Sequence, residues 1–227
     1  MLRSLFITSV GLLTMSCSGD ESYDHGFAIS ASQWALANQQ ADLNLLQDSA
    51  NAIESWHAQA KTGILLNSAL SDQQYGELVG EFPCALPQEV QALWKWKNGE
   101  STDYFIWYHG FLSLEEAIEQ YNYLLSEPIF GWQKNWIPFF QFQDEWYFVE
   151  CKNEPTAGAP VIHYFTESGP SYAYTNLTMY LATMAEAMDR GVLTWREGWW
   201  NDLDDRKKLV AIHDEYNDLA KFPYAVE

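Results

Sequence analysis

Positive charge is what this chain most lacks. Lys and Arg total 12 against 31 Asp and Glu, a formal net charge of −19, and residues 4–60 contain neither Lys nor Arg. A surface of that sign repels a phosphate backbone, so nucleic acid is not an expected partner. It attracts basic proteins and speeds their encounter at low salt, although acidity taken alone needs no meaning beyond solubility. Cysteine is scarce as well, with three in 227 residues. There is no Cys-x-x-Cys, no His pair four apart, no phosphate-cradling glycine loop, no dinucleotide fingerprint and no Gly-x-Ser-x-Gly. These gaps argue against the familiar metal, nucleotide and serine-nucleophile chemistries, so neither a metal nor a cofactor is expected. The five histidines, His25, His57, His109, His163 and His213, are scattered along the chain.

A run long enough to cross a bilayer is also missing. Residues 1–20 read MLRSLFITSVGLLTMSCSGD: one Arg, an apolar stretch over residues 5–15, then Ser16, Cys17 and a polar continuation. The stretch is too short for a spanning helix and follows signal-peptide grammar. A small residue followed by Cys resembles the bacterial lipobox, with Thr14 where Leu is more usual. That resemblance implies a signal peptide at 1–16, lipidation at Cys17 and a polar tether over 17–30. The acyl chains would hold the protein to the cell envelope, and Ser18 would permit passage to the outer membrane where there is one. Ordinary secretion with Cys17 incidental, or a frayed cytoplasmic start, is the alternative. Cys84 and Cys151 remain. An oxidising compartment admits a disulfide between them, but two separate buried thiols is the preferred reading.

What is abundant is apolar and aromatic. Hydrophobic residues make up 48% of the chain, with 11 Trp, 13 Tyr and 12 Phe, enough for a substantial core. Apolar residues recur at helical spacing over 32–61, with Gly63 as the stop. Ser71 with Gln74, and Ser113 with Glu116, have the form of capping boxes. Pro87 suits a first helical position and Asn98-Gly99 a helix end. Segments 104–108, 136–142, 145–151 and 161–165 read as strands, with Pro138 marking an edge or a strand start, and Tyr172 and Tyr174 in one more. Trp146, Phe148 and Glu150 should share one face, and Tyr147, Val149 and Cys151 the other. Antiparallel pairing would set His163 near Phe148, out of register with Cys151. Asn176 begins a helix carrying Leu177, Leu181, Met184 and Met188 inward, and a last helix over 202–221 buries Leu209, Ile212, Tyr216 and Leu219. The fold class is α+β, a single domain with a mostly antiparallel, twisted sheet of about four to six strands flanked by helices.

LPQEVQALWKWKNGE (86–100), FLSLEEAI (111–118), WIPFFQFQDEWYFVE (136–150), VIHYF (161–165) and NLTMYLATM (176–184) occur in an order that resembles the SUKH superfamily. That superfamily holds fungal Smi/Knr cell-wall assembly regulators and many bacterial toxin-immunity proteins. The resemblance covers about 65–190 of a domain expected over 31–227; Gln143-Asp144-Glu145 departs from the glycine-rich acidic turn of many members. It implies a non-catalytic module binding a protein, most simply a basic toxin. An envelope scaffold or regulator is the alternative, and a wall hydrolase using paired carboxylates is a third. Neighbouring carboxylates on a solvated turn offer no burial to raise a pKa, which sets catalysis below binding. The contact is expected on an open aromatic sheet and its rim: Glu100, Asp103, Trp132, Trp136, Asp144, Glu145 and Glu150. For the two tryptophans, a place in the core is the competing reading.

Overall fold

The computed structural model describes residues 27–102, 104–201 and 206–224. The signal-peptide expectation, with Cys17, and the candidate Asp103 lie outside the described residues. Among the described residues no helix is long and apolar enough to cross a membrane.

Helix α1 (Ala31–Gln39) is started by a Ser30/Gln33 capping box, and α2 (Leu43–Ala60) by the Asp42 carboxylate, which accepts from the backbone of Asn44 and Leu45. The single helix expected over 32–61 is therefore two. Asp42 offers a better helix start than a continued turn, because its side chain satisfies two otherwise orphaned N–H groups. The second helix ends on Lys61 in the left-handed region, two residues before the expected Gly63. Helix α3 (Asp72–Val79) starts at the expected Ser71/Gln74 box.

Pro87 is the N-cap of α4 (Gln88–Trp96), one place before the position expected. That helix is tied to α5 (Leu114–Ser126) by Asn98-Gly99. The Asn98 side chain accepts from Leu114 N at 2.8 Å and donates to Glu115 Oε2 at 2.9 Å. Gly99, at φ +74°, runs so close to Ser113 that a Cβ there would meet its backbone nitrogen at 2.2 Å. Asn-Gly is thus a joint between two helices as well as a helix stop.

Five antiparallel strands follow in sequence order: β1 (Gly110–Phe111), β2 (Trp136–Phe142), β3 (Glu145–Glu150), β4 (Val161–Phe165) and β5 (Gly169–Tyr174). Strand β1 pairs only with Phe140 and Gln141, so Pro138 needs no strand partner on that side and sits beside a register shift. His163 pairs with Tyr147, one place from the expected Phe148. Segment 104–108 is no strand. It enters a tight turn in which Ile106 and His109 exchange both backbone hydrogen bonds, at 3.1 and 2.8 Å. Helix α6 (Leu177–Asp189) begins at Asn176 and buries the four side chains expected. Hairpin β6 (Thr194–Arg196) and β7 (Trp199–Asn201) was not anticipated; Glu197 and Gly198 both take positive φ at its tip, as a two-residue hairpin demands. Helix α7 (Arg206–Tyr216) is shorter than expected and leaves Leu219 half exposed.

The helices pack on one sheet face, where Tyr147, Val149 and Cys151 join the main core. The other face carries Trp136, Trp146, Phe148, Ile162 and Tyr164 under a cover of Leu124 and Trp132, with Phe27, Ile29 and Phe130 at its margin. The open aromatic face expected from sequence is therefore closed. Each large side chain so buried stabilises by roughly 1.5–3 kcal/mol. Continuous apolar runs without polar alternation suit a sheet covered on both faces, which is the physical reason the expected open face closes.

Cys84 and Cys151 form a disulfide, with Cα atoms 5.8 Å apart, correcting the two-thiol reading. Hydrogen bonding between Ala85 N and Lys152 O lays the two cysteine-bearing segments side by side.

Candidate functional site

At the end of the sheet opposite the disulfide, four distant parts of the chain converge. Glu145 opens β3, His163 is the middle residue of β4, His109 precedes β1, and Tyr224 comes from the C-terminal segment. Glu145 Oε2 is 3.0 Å from His163 Nε2 and 3.7 Å from His109 Nε2. The Tyr224 hydroxyl is 3.1 Å from His163 Nε2 and 3.4 Å from His109 Nε2, and it donates to Glu145. Both histidines are buried, and Glu145 keeps a small opening to solvent. Tyr147, fully buried, lies beneath with its ring 4.7 Å from that of His109 and 5.1 Å from that of His163.

The Ile106–His109 turn sets His109. Its central residues, Trp107 at φ 39° and Tyr108 at φ 70°, occupy the left-handed region, and Tyr104 at φ 80° does so as well. Side chains of this bulk take that conformation at a cost of about 1–3 kcal/mol each, and such strain gathers at functional places. The turn aims the Trp107 carbonyl at His109 Nδ1, 3.0 Å away. A carbonyl only accepts, so Nδ1 carries a proton and Nε2 faces the cluster. Trp107 also holds Tyr224 edge-on at 4.7 Å.

Electrostatics reflect the enclosure. Burial lowers the His109 pKa, opposed by its hydrogen bond and charge interaction with Glu145. Burial would raise Glu145, but hydrogen bonds with His109, His163 and Tyr224 together hold its carboxyl below the ordinary range. Tyr224 is pushed far up, first by burial and then by the Glu145 charge.

Other buried ionisable groups are explained by packing. Glu89, fully buried under α6, is pushed up to about 7 by burial, although Thr178 donates to it through its backbone N–H at 2.9 Å and its hydroxyl at 2.5 Å. His57 is lowered to about 4 by burial and donates to the Phe105 carbonyl at 2.7 Å. A cleft of about 410 Å³ beside it is lined by Glu54, Lys61, Leu65 and Phe105, and brings no carboxylate pair together.

The residues nominated from sequence scatter. Glu100 is buried, its Oε1 accepting from Phe105 N and Phe111 N at 3.2 Å each, so it is a fastener for the strained segment. Trp132 and Trp136 are buried against each other and Phe148, as the core reading had it. Glu150, half-buried, accepts from Asn135 at 3.0 Å near the disulfide. Of the nominated acids, Asp144 and Glu145 stay together as chain neighbours, and among the described candidates Asp144 is the exposed one. Histidine spacing missed the cluster because strand register and a C-terminal return, not sequence proximity, create it. The one trace in sequence was Glu145 and His163 flanking the same hairpin.

The five sheet strands, the Asn-Gly joint and the α5 and α6 caps lie within residues 70–183, which match the SMI1/KNR4 (SUKH-1) family model. The chain belongs to the SMI1/KNR4 family. His109, Glu145 and His163 fall inside the matched segment, whereas Tyr224, α1, α2 and α7 lie outside it. Helices α2 and α7 add to the same core through Leu46, Ile53, Leu209 and Ile212, and Trp34 of α1 packs against it. No curated protein matches the chain.

Proposed function

We propose that this SUKH-family chain is an immunity-type inhibitor, a non-catalytic module anchored at the cell envelope that binds a basic toxin protein. Family membership joined to a charge of −19 is the observation that carries the reading. A toxin-immunity or Smi1/Knr4-like role is what the family offers, and acidity selects a basic partner. With the aromatic sheet face covered, binding falls to the exposed strand connections. Asp144, between β2 and β3, and Glu167, between β4 and β5, are exposed at the same end of the sheet, where the Thr166 hydroxyl donates to Asp144 at 2.8 Å. The Cys84–Cys151 disulfide supports a life outside the reducing cytoplasm, consistent with the lipobox-like start.

Deleting the gene should kill cells only while an adjacent gene for a basic toxin is intact; deletion tolerated in both backgrounds would overturn the reading and favour a scaffold. Against that toxin, the double change Asp144→Lys and Glu167→Lys should slow association and flatten its salt dependence. Radiolabelled palmitate should enter the wild type and not Cys17→Ala.

A further inference from the structure

We propose that His109, Glu145, His163 and Tyr224 form a structural zinc site that ties the C-terminal segment to the sheet. This inference is independent of the immunity reading. Its first support is metrical. Four ligand atoms at 2.0–2.1 Å around a tetrahedral zinc lie about 3.3 Å apart. The separations of 3.0, 3.7, 3.1 and 3.4 Å from the two Nε2 atoms to Glu145 Oε2 and to the Tyr224 hydroxyl bracket that spacing, while the two oxygens are hydrogen-bonded to each other and must part to admit the ion. The two histidines and the carboxylate already converge with their ligand atoms within 4.8 Å of one another.

Second, the neutral tautomer leaves a ligand atom free. With Nδ1–H given to the Trp107 carbonyl, neutral His109 presents a bare Nε2 to the Glu145 carboxylate and the Tyr224 oxygen. The position between them takes positive charge either as a second proton on the imidazole, which then donates to Glu145, or as a divalent cation. Only the cation engages all four atoms at once.

Third, the outer shell is in place. The Trp107 carbonyl fixes the His109 tautomer and ring, as outer-shell acceptors do for metal-bound histidines. It is presented by a turn with left-handed backbone at Trp107 and Tyr108, and the same Trp107 packs against Tyr224. On binding, the Tyr224 hydroxyl loses its proton to solvent as the oxygen–zinc bond forms. Two anionic and two neutral ligands then balance the doubly charged ion. Two imidazoles and two oxygens suit zinc, and because protein fills all four positions the site is closed and structural rather than catalytic.

The test uses the full-length chain, stripped with a chelator and titrated with Co²⁺ as a visible probe. One Co²⁺ per chain should bind with release of a proton and produce strong tetrahedral absorption bands, Zn²⁺ should bleach them by displacement, and the melting temperature should rise. Tyr224→Phe keeps the ring against Trp107 but removes a ligand; it should weaken binding by at least about tenfold and change the band shape. Glu145→Gln and His163→Gln should abolish the bands. If those two variants fail to fold by circular dichroism, the wild type and Tyr224→Phe decide the matter. A folded wild type that takes up no Co²⁺ overturns the proposal, and so does uptake unchanged in Tyr224→Phe, which would place the ion elsewhere.

Discussion

Strand β3 is fastened at both ends, and the two fastenings differ in kind. Glu145 at its start enters a polar cluster with His109, His163 and Tyr224, while Cys151 just past its last residue is bonded to Cys84. Near the disulfide, the connection from β3 to β4 is also laid on α4: Gln88 N donates to Thr156 O at 2.9 Å, and Glu89 packs against Gly158. Burial raises the Glu89 carboxyl, whereas hydrogen bonding lowers that of Glu145. One end is covalent and carries a buried acid that is best kept neutral. The other is non-covalent and built around a charge. A covalent fastening needs only proximity; a polar one needs every partner in place, which is why it draws on a strained turn and a returning C-terminus.

The largest effect should come from cutting the covalent end. Cys84 and Cys151 close a loop of 67 residues, and releasing it should cost about 4 kcal/mol on the chain-entropy account. Urea titration of the double Cys→Ser variant should show that loss, and reductant should shift the wild type but not the variant. A midpoint shared by both proteins would mean the segments are held by packing alone.

The next effect sharpens the contrast through pH. The Glu89 pKa stands at about 7 in the fold against an ordinary 4.5, so folding favours its neutral form. That stabilisation is complete below about 4.5, declines as pH rises towards 7 and is absent above it, a change of about 3 kcal/mol. The stability difference between wild type and Glu89→Gln should therefore move in favour of the variant by about that amount between pH 5 and pH 8. A difference that stays flat would mean Glu89 folds already ionised.

The smallest effects compare neighbours at the polar end. In chelator, Glu145→Gln should cost about 2 kcal/mol by weakening charge-assisted hydrogen bonds to buried partners. Asp144→Asn, one residue away and exposed, should stay within about 0.5 kcal/mol. Equal losses at the two positions would erase the distinction between a buried cluster and a solvated turn.

Much of the fold was legible before any coordinates. Ser71, Ser113 and Asn176 start helices where their side chains said they would, because a capping hydrogen bond spans only three residues. The alternation along β3 was read correctly, as strand geometry is local. Failures came where local signals competed. Asp42 broke a helix that apolar spacing continued, and the aromatic run 104–108 bent into a left-handed turn despite its strand-forming residues. Of the candidate site, Glu145 alone was nominated as a binding residue; His109 and His163 were read as scattered histidines.

Composition and short-range pattern by themselves determined the acidity, the α+β class, most helix starts, and which β3 side chains share a face. These depend on charge count, capping and a two-residue repeat, all of which act within a few residues. Only the tertiary structure decided that the outer sheet face is covered, that Cys84 meets Cys151, and that His109, His163 and Tyr224 gather on Glu145. Each of these joins residues far apart in the chain, and such meetings are set by packing the whole core.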